Sequence, residues 1–313
     1  VVRTVNPLAY AFSGSNPLLP TKSNKYLGMA DVTISGLSTG TPNKNSVFPF
    51  SDGSATYKTF FSSISSIFFY SVDYLVVGGG GGGGQDFGGC GGAGGYLEGT
   101  TSLMANQRYD VVVGKGGLKE SSLDFCTNGQ DSYFGNILAF GGGAGGPKRA
   151  TSASGNSGGS GGGGYYTGFR GGLGVTGQGN DGAPGLPTGS AGYAVGGGGG
   201  GAGATGSSSV GGIGKFSSIT GTTLMYASGG THRGNVGSVV TPDPRLNSGV
   251  GGDGANGSWL VASNGAAGIV VIAYPGTPRG TAYNSSGAVI APNTSSRPGF
   301  TIHTFTSSGY YLG

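Results

Sequence analysis

The sequence predicts an all-β chain without substantial α-helix, in which strands bracket a bundle of glycine-rich helices of the polyglycine-II type, with variable loops between them. Three observations lead there. The run Val72-Asp73-Tyr74-Leu75-Val76-Val77 is short, apolar and rich in β-branched residues, as a strand buried on both faces must be, and it passes straight into the seven glycines Gly78–Gly84. Glycine motifs then recur until a second run of the same kind, Gly268-Ile269-Val270-Val271-Ile272-Ala273-Tyr274. Between the two runs, glycine spacing has a period of three: Gly88-Gly89-Cys90, Gly91-Gly92-Ala93, Gly94-Gly95-Tyr96. That is the period of a polyproline-II-like helix, which has no internal hydrogen bonds. Its backbone groups must pair with neighbouring chains, which can approach closely where no Cβ intervenes.

Composition separates this reading from disorder. Of 313 residues 75 are glycine, a share that often marks a flexible or low-complexity chain. Disordered segments are poor in aromatics, whereas this chain has 16 Tyr and 15 Phe and its glycine region is flanked by strands that need a core. The net charge of +4 is mild, and only Lys148-Arg149 are adjacent basic residues, so no basic stripe points to a nucleic-acid partner. No run reaches membrane-spanning length, so no membrane insertion is expected. Val1 reads as a processed end or as an interior point of a longer chain.

Taken in order, residues 1–55 form a β-rich connector or preceding module, with Asp31–Ser35 alternating as a strand. The glycine-rich domain spans 56–276. It opens with Thr56–Ser63, which alternates again, and Ile67–Tyr70 leads to the organising strand. Arg108–Gly114 is a further strand. Breakers elsewhere leave no convincing helical period, and the collagen-like Gly179–Pro187 is too short for a triple helix.

Residues 277–313 read as a linker followed by the start of a second module or by an assembly strand. Thr301–Ser308 matches Thr56–Ser63 at five of eight positions. A terminal strand of this kind could complete a neighbouring subunit by β-strand addition.

Insertions between the glycine blocks hold most of the region's aromatic and charged residues. As loops projecting from a rigid scaffold they are candidate surface contacts: Tyr165, Tyr166, Phe169, Arg170, Tyr226, His232, Arg233 and Trp259. Gly88, Gly89, Gly91, Gly92, Gly94 and Gly95 are the scaffold candidates. Cys90 and Cys126 are either one disulfide or two buried thiols; the bridge would favour an oxidising compartment.

Enzymatic chemistry finds little support. The run Tyr74–Gly78 imitates the first strand of a dinucleotide-binding fold, but Gln85-Asp86-Phe87 leads into more glycine rather than into a helix that could hold a pyrophosphate. Gly114-Lys115-Gly116 and Gly214-Lys215-Phe216 lack the hydroxyl residue of a phosphate loop. The two histidines, His232 and His303, have no nucleophile context, and acidic pairs at metal-ligand spacing are absent. No cofactor or metal is expected. Three Asn-x-Ser/Thr sequons, at Asn256, Asn284 and Asn293, carry little weight in a chain so rich in Ser and Thr.

The ordered set Thr59-Phe60, Val72–Gly84, Gly88–Tyr96, Tyr109–Gly117 and Gly268–Tyr274 resembles the glycine-rich domain of phage and algal-virus fibre proteins. The resemblance covers about residues 56–275 and implies a sandwich of packed polyglycine-II helices, like that of tail-fibre tip adhesins, whose distal loops contact a host surface. The same domain occurs in bacterial surface and secreted proteins. The expectation is a non-enzymatic, extracellular or virion-surface fibre protein that self-associates and presents loops to a host receptor or glycan. The alternative is a subunit of a homopolymeric extracellular filament joined by terminal strands. Ice binding by a flat polyglycine-II face would need a regular array of small exposed residues, which the irregular loops interrupt.

Overall fold

The computed structural model describes residues 69–121, 125–148, 153–166, 168–186, 195–232, 247–255 and 261–313. The expected strands at Asp31–Ser35 and Thr56–Ser63 lie outside them, as do Arg233 and Trp259. Among the described residues the regular elements are all strands. They are β1 (Phe69–Val77), β2 (Tyr96–Met104), β3 (Arg108–Val112), β4 (Ser132–Phe134), β5 (Ile137–Ala139) and β6 (Lys215–Ser217). There follow β7 (Leu224–Tyr226), β8 (Ile269–Pro275), β9 (Thr281–Asn284), β10 (Val289–Ile290), β11 (Phe300–Phe305) and β12 (Gly309–Leu312). They form a four-stranded sheet β11-β8-β1-β2, a six-stranded sheet β10-β9-β12-β3-β4-β5 and the hairpin β6-β7, with every ladder antiparallel.

The two organising runs are β1 and β8, hydrogen-bonded to each other; β8 is buried on both faces from Ile269 to Tyr274, and β1 over its last residues, Leu75, Val76 and Val77. Because side chains alternate along a strand, their residues divide between two apolar clusters. Val72, Val76, Val270, Ile272 and Tyr274 face the six-stranded sheet and meet Val111, Phe134 and Tyr311. Leu75, Val77, Ile269, Val271 and Ala273 face the other way, against Ile219 and Tyr226 of the β6-β7 region. Each fully buried Val, Leu or Ile contributes about 1.5–3 kcal/mol.

The glycine region is a continuation of these sheets. The β1-β2 register, Val77 opposite Tyr96, runs on beyond the strands: the N–H groups of Gly78, Gly81 and Gly84 donate to the carbonyls of Gly95, Gly92 and Gly89 at 2.8–3.0 Å. The β1-β8 register continues in the same way, with Gly80 and Gly83 donating to Ala266 and Ser263. So does β3-β4, with Gln130 donating to Lys115 and Thr127 to Leu118. Past Gly78 the chain meets any one neighbour only at every third residue.

The intervening groups therefore turn to other neighbours. From Gly78 to Gly84 the N–H groups take, in rotation, 88–95, 125–131 and 261–267. The carbonyls of Gly79 to Gly84 accept, in rotation, from 141–146, 114–120 and 249–255. One glycine segment thus sits among six others. Segment 88–95 is surrounded likewise, by 78–84, 141–146, 158–164, 196–203, 249–255 and Gly230.

This spacing leaves no room for side chains on the lattice glycines. A Cβ built on Gly92 would collide with the Ser160 and Gly161 carbonyls, and one on Gly81 with Gly143. The same holds at Gly88, Gly89, Gly91, Gly94 and Gly95, where the obstacle is backbone in all but the last and the Gln178 side chain there. Cys90 and Ala93, the third residues of their triplets, are fully buried beside 196–203, to which their N–H groups donate.

Two expectations change. The insertions 118–140 and 215–228 are not loops throughout: the first holds the hairpin β4-β5, which extends the six-stranded sheet, and the second the hairpin β6-β7, which sets Leu224 and Tyr226 against the β1-β8 face. The strand at Thr301 is β11, which pairs with β8 of its own chain, while β12 lies between β9 and β3. Within the chain, then, this segment closes existing sheets rather than opening a new one.

Replacing Gly92 by Ala is expected to cost about 3 kcal/mol or more through overpacking against backbone that cannot yield. Leu173→Ala, at a site 65% exposed, should stay within about 0.5 kcal/mol of the parent. Chemical unfolding midpoints of the two variants check this; a parent-like midpoint for the glycine variant would mean that the lattice is loosely packed.

Candidate functional site

At the end of the lattice away from the sheets, the chain leaves Gly84 and re-enters at Gly88 through Gln85-Asp86-Phe87. The turn is closed by the Gly88 N–H donating to the Gln85 carbonyl at 3.0 Å. Asp86 and Phe87 both have positive φ, 48° and 66°, a strained conformation for residues with a Cβ. Several contacts hold the turn in place. The Phe87 N–H donates to Ala255 at 2.7 Å, the Gln85 N–H to the Glu120 carboxylate at 2.8 Å, and the Ala262 N–H to the Gln85 amide oxygen at 3.0 Å. Glu120 is buried and also accepts from the Lys148 N–H, while the Lys148 ammonium pairs with Asp86.

Four aromatic rings gather at this turn. Phe87 lies 5.4 Å from Tyr166, Tyr166 packs edge-on at 4.6 Å against Tyr165, and Tyr165 reaches Phe169 at 6.5 Å. All four are half-buried, and Arg170 beside them is exposed. Burial pushes the Tyr165 phenol up to about 12, with the Tyr166, Asp86 and Glu120 side chains adding to the shift, so it is a neutral donor at physiological pH. Half-buried aromatic rings on a rigid support combine contact area with little entropy to lose.

Of the expected surface residues, Tyr165, Tyr166, Phe169 and Arg170 fall together here. Tyr226 and His232 do not. Tyr226 is 2% exposed, at the end of β7 in the cluster that faces β1 and β8. His232 is 1% exposed: its N–H donates to Ser209, and its ring lies against Gly254, on which a Cβ would come within 3.2 Å of both the ring and the Cys90 thiol. Both read as loop residues because they follow glycine-interrupted sequence, but the lattice draws them inward. The sequence marks neither Phe87 and Asp86 nor Lys148 and Glu120 as surface contacts; the one local signal for the first two is a break of three non-glycine residues between two glycine runs.

Cys90 and Cys126 are free, buried thiols rather than a bridge. Cys126 donates to the Gly145 carbonyl at 2.9 Å, and burial pushes both thiols up, Cys126 to about 12. A thiol so held is a poor nucleophile. Among the described residues no group of three or more His, Cys, Asp or Glu is placed to hold a metal ion.

Residues 58–275 match the glycine-rich domain family. The chain belongs to that family. No curated protein and no solved structure matches the chain. The glycine-rich domain begins ahead of β1 and ends at Pro275, the last residue of β8, so the lattice and the aromatic turn lie wholly inside it.

Two buried imidazoles, His232 within this domain and His303 on β11 beyond it, give the fold a pH dependence. Burial pulls His232 and His303 down to about 4; for His232 the nearby Ala255 backbone offsets this in part, yet neither nitrogen of the His232 ring makes a well-formed hydrogen bond, whereas His303 Nε2 meets the Tyr274 hydroxyl. Both are neutral in the fold, while in the unfolded chain each takes a proton near pH 6.5. Their contribution is therefore complete above about pH 6.5 and is lost as pH falls to about 4, to the extent of about 3 kcal/mol each. Thermal melts of the parent and His232→Leu across that window should show the variant losing markedly less stability; parallel curves would refute the assignment.

Proposed function

We propose that the chain is a non-enzymatic structural and adhesive part of an extracellular or virion-surface fibre, and that its lattice is a bundle of polyglycine-II helices. The bundle acts as a rigid spacer, with the sheets as its base and the aromatic turn as its contact surface. What carries the reading is the cluster of Phe87, Tyr165, Tyr166 and Phe169, half-exposed on a strained turn that buried Glu120 anchors. Strained backbone persists where surrounding contacts over-determine it, and such sites concentrate at functional surfaces. Aromatic side chains dominate contact energies at interfaces. A host-surface receptor or glycan is the partner this surface suits.

The test is binding of the full chain to glycan arrays and to intact bacterial and algal cells, with Tyr166→Ala as the variant. Loss of a contact ring should weaken binding by about 1–2 kcal/mol, roughly five- to thirty-fold, with the melting temperature little changed. Equal binding by parent and variant would remove the turn from the contact surface.

A further inference from the structure

The four C-terminal strands are linked to one another as well as to the sheets they complete. β9 pairs with β10 and with β12, and Tyr283 stacks on Tyr310 at 4.7 Å. Asn293 and Ile302 exchange both backbone hydrogen bonds, at 2.8 and 2.9 Å, which ties the start of β11 to the same segment. These strands meet the rest of the chain along two strand edges, β11 on β8 and β12 on β3, and through buried side chains: Ala282, Phe305 and Tyr311 in one apolar cluster and Ile302 in the other. Between the edges, the Tyr274 hydroxyl lies 3.0 Å from His303 Nε2 and the Tyr70 hydroxyl 2.9 Å from that of Tyr311. Uncovered, the outer edges of β8 and β3 would be open templates for another chain.

A single segment joins these strands to β8. Residues 275–279, Pro-Gly-Thr-Pro-Arg, are exposed; Gly276 has φ of 90° with nothing near its missing Cβ, and proline stiffens the path. This segment starts at residue 275, where the family domain ends. The sheet of the domain is thus completed by strands from outside it.

The sequence carries a second segment of the same type, Thr56–Ser63, which matches β11 and the turn after it at five of eight positions. It differs where the site is most demanding. Lys58 stands at the position of His303, which is 1% exposed against Tyr274 and Tyr311. A lysine there would bury an ammonium among aromatic rings with no counter-charge, a costly exchange for a neutral imidazole. The site beside β8 selects the C-terminal segment.

We propose that residues 281–312 are an exchangeable unit, and that in assembly β11 and β12 of one copy pair with β8 and β3 of a second copy. The exchange makes the same ladders between chains that the single chain makes within itself, so it costs little beyond association and rearrangement of the 275–280 connection. It joins copies through their bases and leaves the aromatic turns free. It goes beyond the adhesive reading and does not depend on it.

Arg108 and Leu312 face each other across β3 and β12, and both are exposed. Two full-length chains with different tags, one bearing Arg108→Cys and the other Leu312→Cys, are coexpressed and oxidised. A chain bearing both substitutions serves as the geometric control, and tagged parent chains report any bridging by the native thiols. The expected result is a disulfide-linked pair carrying both tags. Absence of that pair, with the double variant closing its bridge, would overturn the proposal. Sedimentation of the parent chain gives a second readout: dimers or longer species that grow with concentration support exchange, and a monomer up to the highest soluble concentration overturns it.

Discussion

The pairing of buried backbone groups is the constraint on which the rest of this molecule depends. Each N–H from Gly78 to Gly84 has a partner at 2.8–3.1 Å, spread over three neighbouring segments. A net gain of about 1 kcal/mol per bond is modest, but an orphaned buried group costs about 1–3 kcal/mol. The lattice must therefore be complete or it cannot be buried at all. Completeness needs six close neighbours, and six close neighbours exclude side chains. Glycine is required here for what it lacks, and the entropy that it loses on ordering is offset collectively rather than residue by residue.

Such a lattice has little apolar surface of its own, so its ends matter. The sheets supply what the glycines cannot: two apolar clusters on opposite faces of β1 and β8, and registers that run unbroken into the lattice. Setting the register in the strands sets which glycine meets which. At the other end, the return turn concentrates strain, a buried carboxylate and four aromatic rings in one place. The same rigidity that orders the lattice holds that surface still. It also explains His232, which the closely packed interior holds 1% exposed with no well-formed partner for its ring.

Much of this was legible in the chain itself. The apolar runs around Val72 and Val270 announced buried strands, the absence of helical period announced an all-β fold, and triplets at Gly88–Tyr96 announced a three-residue repeat. These are local properties: side-chain branching, alternation and the presence or absence of Cβ act on neighbours along the sequence. Tyr165, Tyr166, Phe169 and Arg170 were visible as one insertion for the same reason.

What only the tertiary structure decided is which segments meet. Composition could not tell that Phe87 would join Tyr166, because 79 residues separate two loops that the lattice brings to one end. Nor could it tell that Tyr226 and His232 would turn inward, that Cys90 and Cys126 would stay apart as thiols, or that β11 would close the sheet beside β8. A glycine segment offers the same backbone to every neighbour, so its sequence carries no address. The address comes from the strands at its ends, and it is expressed only once they have paired.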